Sequence, residues 1–208
     1  VPARGLASGR TGMLGVVLAN LSDTYYSEIL QGAVMEADAR GSRLILHLTG
    51  TSDAREIAQV TTLLGGSVDG LLLVLPRAAD HYITTIAEQR FPCVLVDHRM
   101  LDTPLPAVRS ANRAGGAVGT QHLLDLGHRH IGFITGDMTY GCAVERLEGC
   151  RAALAERGIA HAEGYVQHGD WTQASGRRAA EALLRLDPQP TAIFASNDLE
   201  ALGVYEAA

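Results

Sequence analysis

Short apolar runs alternate along this chain with longer stretches that carry a helical stripe, and that alternation constrains the fold more than any other feature. The runs fall at residues 15–19, 44–48, 70–75, 93–96, 131–135 and 192–195. Most are continuously apolar, as strands are when helices cover both faces of their sheet. Between the first two, Tyr26, Ile29, Leu30, Ala33, Val34 and Ala37 recur at the spacing of one helix face. Gly41 follows, a residue that suits a helix C-terminus. Further helices are predicted over 54–64, 80–89, 113–126, 144–156 and 173–186, and one more starts near Asp198. Asn112 and Asp198 read as N-caps. Strands alternating with helices build βαβ units and mostly parallel sheets.

The stretch 97–109 breaks the rhythm: it holds Pro104 and Pro106 and no helical stripe. Alternation resumes at Asn112, so the chain reads as two α/β lobes, residues 13–110 and 111–208, preceded by a short segment 1–12. Ligands of open parallel sheets bind beyond the carboxyl ends of the strands. The residues that follow each strand, at 20–26, 75–77, 97–99, 136–142 and 196–198, are therefore the ones to inspect.

Much chemistry is missing from those positions. No GxGxxG follows the first strand. Gly136 and Gly141 have the spacing of a phosphate loop, but Cys142 and Ala143 follow where Lys and Ser/Thr belong. There is no GxSxG elbow. His128 and His130 flank an arginine in a turn and lack a third ligand, so they read as solvated turn histidines rather than a metal site. No cofactor is implied, and an enzyme reading has little to rest on. A net charge of −6 argues against nucleic acid covering most of the surface, though not against a small basic segment at one end. Three scattered cysteines suit a reducing, cytoplasmic setting. No apolar run approaches the roughly 20 residues of a membrane span.

Seven stretches, in this order and spacing, resemble one family: ARGLASGRTGMLGVVLANLSDTYYSEILQGA, VDGLLLVLP, VLVDHR, HLLDLGHRHIGFITGD, ERLEGCRAAL, GDWTQASG and ASNDLEALG. Together they look like the effector-binding domain of the lactose-repressor/galactose-repressor family of bacterial transcription factors. The resemblance runs from about Ala3 to the last residue. It implies two lobes of the type I periplasmic-binding-protein fold, the second incomplete here, and a helix-turn-helix headpiece absent from this chain. It also accounts for residues 1–12 as the remnant of a hinge and linker. In the family the hinge folds on operator DNA and inserts a leucine, here Leu6, as a minor-groove wedge, with Arg4 and Arg10 near phosphates. So short a segment is marginal as an isolated helix, and Gly5 and Gly9 weaken it by roughly 1 kcal/mol each. Read without the resemblance, it is a terminal tail.

The resemblance also nominates an effector site. Asp97 matches an acid that accepts ligand hydroxyls; its structural alternative is a carboxylate capping the lobe connection. Arg146 in ERLEG matches an arginine that reaches into the cleft between lobes, offering a fixed donor fork; the alternative is a solvated helix-face arginine beside Glu145. Trp171, the only tryptophan, matches the aromatic that packs on the flat face of the ligand, or else it packs on its own lobe. Asn197 matches a cleft asparagine, with Asp198 mainly structural. Ser22, Tyr25 and Tyr26 stand where the family has an SNPFF loop, and their greater polarity fits a hydroxyl-rich ligand. Tyr140 and Cys142 occupy positions that contact the effector in purine-binding relatives. A sugar is the first choice of effector and a nucleobase the second.

The function so implied is a ligand-responsive repressor-type regulator, dimeric, cytoplasmic and bound to operator DNA through its headpiece and hinge. A periplasmic sugar-binding protein of a transport system is the alternative. It would share the lobes but would have no use for ARGLASGRT.

Overall fold

The computed structural model of the chain describes residues 11–98 and 102–208. Arg4, Leu6 and Arg10 of the hinge reading lie outside the described residues. The chain divides after Arg109 into two compact units.

The first unit is built on a parallel sheet of β1 (Met13–Leu18), β2 (Arg43–Leu48), β3 (Gly70–Val74), β4 (Cys93–Val96) and β5 (Ala107–Val108), in the order β2-β1-β3-β4-β5. The helices are α1 (Thr24–Ala39), α2 (Asp53–Leu64) and the short α3 (Ile83–Glu88). The continuous apolar runs are explained by two cores, one on each face. Val17, Leu71, Leu73 and Leu95 pack with Val60, Leu63 and Ile86 on one side. Val16, Leu18 and Val74 pack with Tyr26 on the other. Alternate residues of β1 thus serve opposite cores, as the strand period of two requires. Asp23 and Ser52 cap α1 and α2, each accepting a backbone N–H in the first turn.

The second unit repeats the plan with β6 (Ile131–Thr135), β7 (Val166–His168) and β8 (Ala192–Ala195), parallel and ordered β7-β6-β8. Its helices are α4 (Asn112–Asp125), α5 (Gly141–Glu156), α6 (Gln173–Leu183) and α7 (Asp198–Ala207). Ile131 and Phe133 face Leu147, Cys150 and Leu154, while Ile134 faces Ala179, Ala180 and Leu183. Helices α4 and α5 touch backbone to backbone: a Cβ on Gly149 would lie 2.0 Å from the Arg113 carbonyl oxygen, and one on Gly116 2.2 Å from that of Arg146. Only glycine permits that approach.

Four expectations need correction. The helix predicted over 80–89 is a 3-10 turn, Ala79–His81, followed by α3. The two-residue strand β5 lies within the stretch that breaks the rhythm, and β7 has only three residues, too few to show a period. Asn112 does not cap α4: Ala111 holds that place, and Asn112 is buried as the first helical residue. Nor does Asp198 cap α7. The cap is Asn197, whose side chain accepts from the Glu200 N–H.

Candidate functional site

Both units use the β-α-β order that leaves a crevice where neighbouring crossovers diverge, and the nominated residues gather at the carboxyl ends of the strands. In the first unit Asp97 directly follows β4. It has a left-handed backbone, φ 44, rare for a non-glycine residue, and is only 6% exposed. Its N–H donates to the Val108 carbonyl at 2.9 Å, which ties it to β5. The Tyr25 hydroxyl, from the first turn of α1, donates to Asp97 Oδ2. Tyr26, by contrast, is buried in the core with Val16 and Leu18, so its ring serves packing. Ser22 is exposed, its N–H held by Asn20 Oδ1 at 2.9 Å.

A second carboxylate of this unit is buried more deeply. Glu56 of α2 accepts from the Arg77 N–H at 3.1 Å, the Ala78 N–H at 2.9 Å and the Tyr82 hydroxyl at 2.5 Å. It fastens the loop after β3. Burial, aided by the Glu56 hydrogen bond, pushes the Tyr82 hydroxyl well above its ordinary pKa.

In the second unit the nominated residues are braced into one cluster. Arg146, in the second turn of α5, donates from Nε to Asn112 Oδ1 at 3.0 Å and from Nη1 to the Ser196 carbonyl at 2.6 Å. Two arms of its fork are fixed to protein, which orients the remaining Nη2 donors. The guanidinium carbon lies 5.5 Å from the centroid of the Trp171 ring, within cation–π range. Asn112, 6% exposed, completes its bonding by donating to the Ser110 carbonyl at 3.2 Å and to Glu145 Oε2 at 3.3 Å.

Trp171 sits between β7 and α6, also left-handed, φ 70. Its indole lies against Gly136, where a Cβ would come within 2.2 Å of the ring. Its backbone is held on both sides from α7: the N–H donates to Glu200 Oε1 at 3.0 Å, and the carbonyl accepts from Asn197 Nδ2 at 3.0 Å. Asn197 Oδ1 accepts from the Glu200 N–H at 2.8 Å, so both ends of that amide are committed to the fold. Tyr140, buried, and Cys142, half-buried, stand at the N-terminus of α5. A depression of about 510 Å³ has Asn112, Arg146, Ser196 and Asn197 at its polar end and Phe194 and Tyr205 along its apolar wall. Trp171 does not line it.

Glu200 is fully buried. Burial pushes its carboxyl up to about 7, against the opposing pull of the Trp171 and Ser196 backbone. Asn112 and Glu200 belong to the cluster although neither residue pattern nor resemblance nominates them for a site, and Ser196 belongs to it although it is singled out only as one of the positions 196–198 that follow a strand. Ser196 does follow a strand directly, in the position where ligands of parallel sheets bind. Glu200 carries the signal of a charged side chain between Leu199 and Ala201, three residues after an asparagine.

The two turn histidines bond hydroxyls: His128 Nδ1 lies 2.9 Å from Thr191 Oγ1, and His130 Nδ1 lies 2.9 Å from the Tyr165 hydroxyl. Among the described residues no group of three or more His, Cys, Asp or Glu is placed to hold a metal ion. Burial pushes the Cys93 thiol up to about 12 and raises that of Cys150, which disfavours the nucleophilic thiolate at both. No helix among the described residues is long and apolar enough to cross a membrane.

Comparison with known proteins agrees with this geometry. Residues 11–208 match the family described as periplasmic binding proteins and sugar binding domain of LacI family. Among curated relatives, the ribose operon repressor of Escherichia coli (strain K12) is 33% identical over 208 residues, covering 99% of this chain and 62% of the repressor. Catabolite control protein A of Priestia megaterium is 30% identical over 207 residues, with 99% and 62% covered. The chain therefore spans less than two thirds of the length of these relatives. Among solved structures, the complex of the transcriptional regulator CelR with cellobiose superimposes with a TM-score of 0.85 at 31% identity, covering 95% of this chain and 62% of that one. The chain belongs to the family of periplasmic binding proteins and LacI-type sugar-binding domains, as an effector-binding domain of the LacI/GalR kind.

Proposed function

We propose that this chain is the sensing part of a ligand-responsive repressor-type transcriptional regulator, and that its effector is a sugar. The observation that carries the reading is the cluster of the second unit. A rigid arginine fork and an indole face are held side by side at the ends of parallel strands. A pyranose offers the matching surfaces: vicinal hydroxyls for directional donors and a C–H face for an aromatic plane. Within the first unit, Asp97, paired with Tyr25, is a separate hydroxyl-accepting carboxylate. The relatives named for ribose and the structure with cellobiose support a sugar over the nucleobase alternative.

Control of DNA follows as a coupling free energy between two sites. The effector stabilises one arrangement of the domain, and that arrangement sets whether hinge segments can fold on operator DNA. The protein acts in the cytoplasm as a homodimer, with the faces of α1 and α2 at the interface; Val34 and Met35 of α1 are exposed apolar side chains suited to it. A periplasmic transport role fits less well, since the curated relatives named above are regulators.

A thermal-shift screen of ribose, cellobiose, other sugars, polyols and purines tests the effector class, because a specific ligand raises stability by mass action. A shift with purines alone would replace the sugar reading. Leu6→Ala in the protein bearing its headpiece tests the hinge. Operator affinity should fall while effector affinity stays within about twofold, and equal losses in both titrations would place Leu6 in the folded domain.

A further inference from the structure

We propose that Glu200 is the positioning residue for Trp171: from beneath the β7–α6 loop its carboxyl holds the tryptophan backbone in the turn that presents the indole, and its charge state sets how firmly. The proposal deepens the reading of Trp171 as the stacking face for the effector and rests on it.

The sequence Asn197-x-x-Glu200 has the form of a capping box, in which the glutamate would reach back to the N–H of the cap residue. Only half of the box is made. Asn197 caps the Glu200 N–H, but the Glu200 carboxyl turns away from it and enters the space that Gly169 leaves open. A Cβ at Gly169 would lie 2.1 Å from Glu200 Oε1. There Oε1 accepts the Trp171 N–H at 3.0 Å, while Oε2 is buried with no hydrogen-bond partner among the described residues. Leaving a buried carboxylate oxygen unpaired is unfavourable, and Trp171 adopts a φ of 70 that bulky residues rarely take. Two unfavourable features meet at one hydrogen bond. Their shared product is an indole seated over Gly136 and beside Arg146.

An ionised carboxylate accepts more strongly than a neutral carboxyl. With burial raising this group to about 7, the bond to Trp171 changes strength across neutral pH. The charged neighbours act on it in known senses: Asp170 raises it further, and Arg146 opposes. His168 at the end of β7 is engaged with Thr135 Oγ1 at 3.2 Å. On α6, Arg178 is paired with Asp170 and Arg177 with Glu181, each at 3.9 Å. Asp198, on the same helix as Glu200, is exposed. The indole is therefore gripped above neutrality and loosened below it.

The test uses the ligand-free protein labelled with 15N-tryptophan. The indole N–H signal of Trp171, assigned by its loss in Trp171→Phe, is followed by NMR from about pH 5.5 to 8.5. The wild type should show a transition centred near 7, with a sharper signal on the alkaline side, and Glu200→Gln should show a single pH-independent position close to one limit of it. A flat wild-type curve overturns the proposal, and so does the same transition persisting in Glu200→Gln. Should circular dichroism show Glu200→Gln unfolded, His168→Asn takes its place: an unchanged transition sustains Glu200 as the titrating group, and a lost one overturns it. No effector is added, so failure of the sugar screen with this transition intact would count against the stacking role alone.

Discussion

Each unit buries one glutamate close to the carboxyl ends of its strands, and the two are treated differently by their surroundings. Glu56 meets three donors, two backbone N–H groups and the Tyr82 hydroxyl, and fastens a loop that needs no unusual backbone at the donors. Glu200 accepts the Trp171 N–H, with the Ser196 backbone also pulling on its carboxyl, leaves Oε2 without a hydrogen-bond partner among the described residues, and holds a tryptophan in a left-handed turn. A fully satisfied buried carboxylate behaves as scaffold, because removing it strands its donors. A half-satisfied one reduces stability and so needs another reason to be there. Its position under the one indole of the chain supplies that reason.

Three substitutions sharpen the contrast. The largest effect is expected from Glu56→Gln, which keeps one acceptor and turns an NH2 toward donors. Denaturant unfolding should show a loss of about 3 kcal/mol at pH 8, by the cost of leaving charge-assisted bonds unmade. Glu200→Gln should act in the opposite direction. A folded-state value raised from the ordinary 4.5 to about 7 means the fold favours the protonated form. That stability is complete below about pH 4.5 and is lost as the pH rises through about 7. The neutral amide escapes the loss, so Glu200→Gln should be more stable than wild type by roughly 2 kcal/mol at pH 8, the difference fading toward pH 5. If both variants destabilise equally at pH 8, the two glutamates are alike and the comparison fails. The smallest effect is expected from Tyr82→Phe, which removes one of the three donors to Glu56; a loss of about 1 kcal/mol in the same measurement would match one hydrogen bond.

The same contrast explains what can be read from sequence. The paired cores are legible because continuous apolar runs such as Gly70–Val74 have only one use, a strand buried on both faces. Arg146, Trp171 and Asn197 are legible by resemblance, and they share one cluster. Asn112 misleads because its residue type suits a cap; what overrides that preference is a partner on another helix, Arg146, which local sequence does not show. Asp198 misleads for the related reason that Asn197 stands one position earlier and reaches the same N–H groups. Glu200 is visibly out of place among apolar neighbours. That it bonds a tryptophan 29 positions earlier is beyond local sequence. Strand β7 is too short for any period to speak, and it is set by pairing with β6.

The measurement that bears most directly on the proposed effector site is a sugar titration followed by tryptophan fluorescence, with the sugar chosen by the thermal-shift screen and wild type, Arg146→Ala and Asp97→Ala compared. Arg146 holds its fork by bonds to Asn112 and Ser196, and removing it takes away both the free donors and their frame. Removing one partner of a buried hydrogen bond costs about 1–3 kcal/mol, so each variant should weaken binding roughly 5- to 150-fold. Undiminished affinity in both variants, with circular dichroism unchanged, would place the effector elsewhere in the protein.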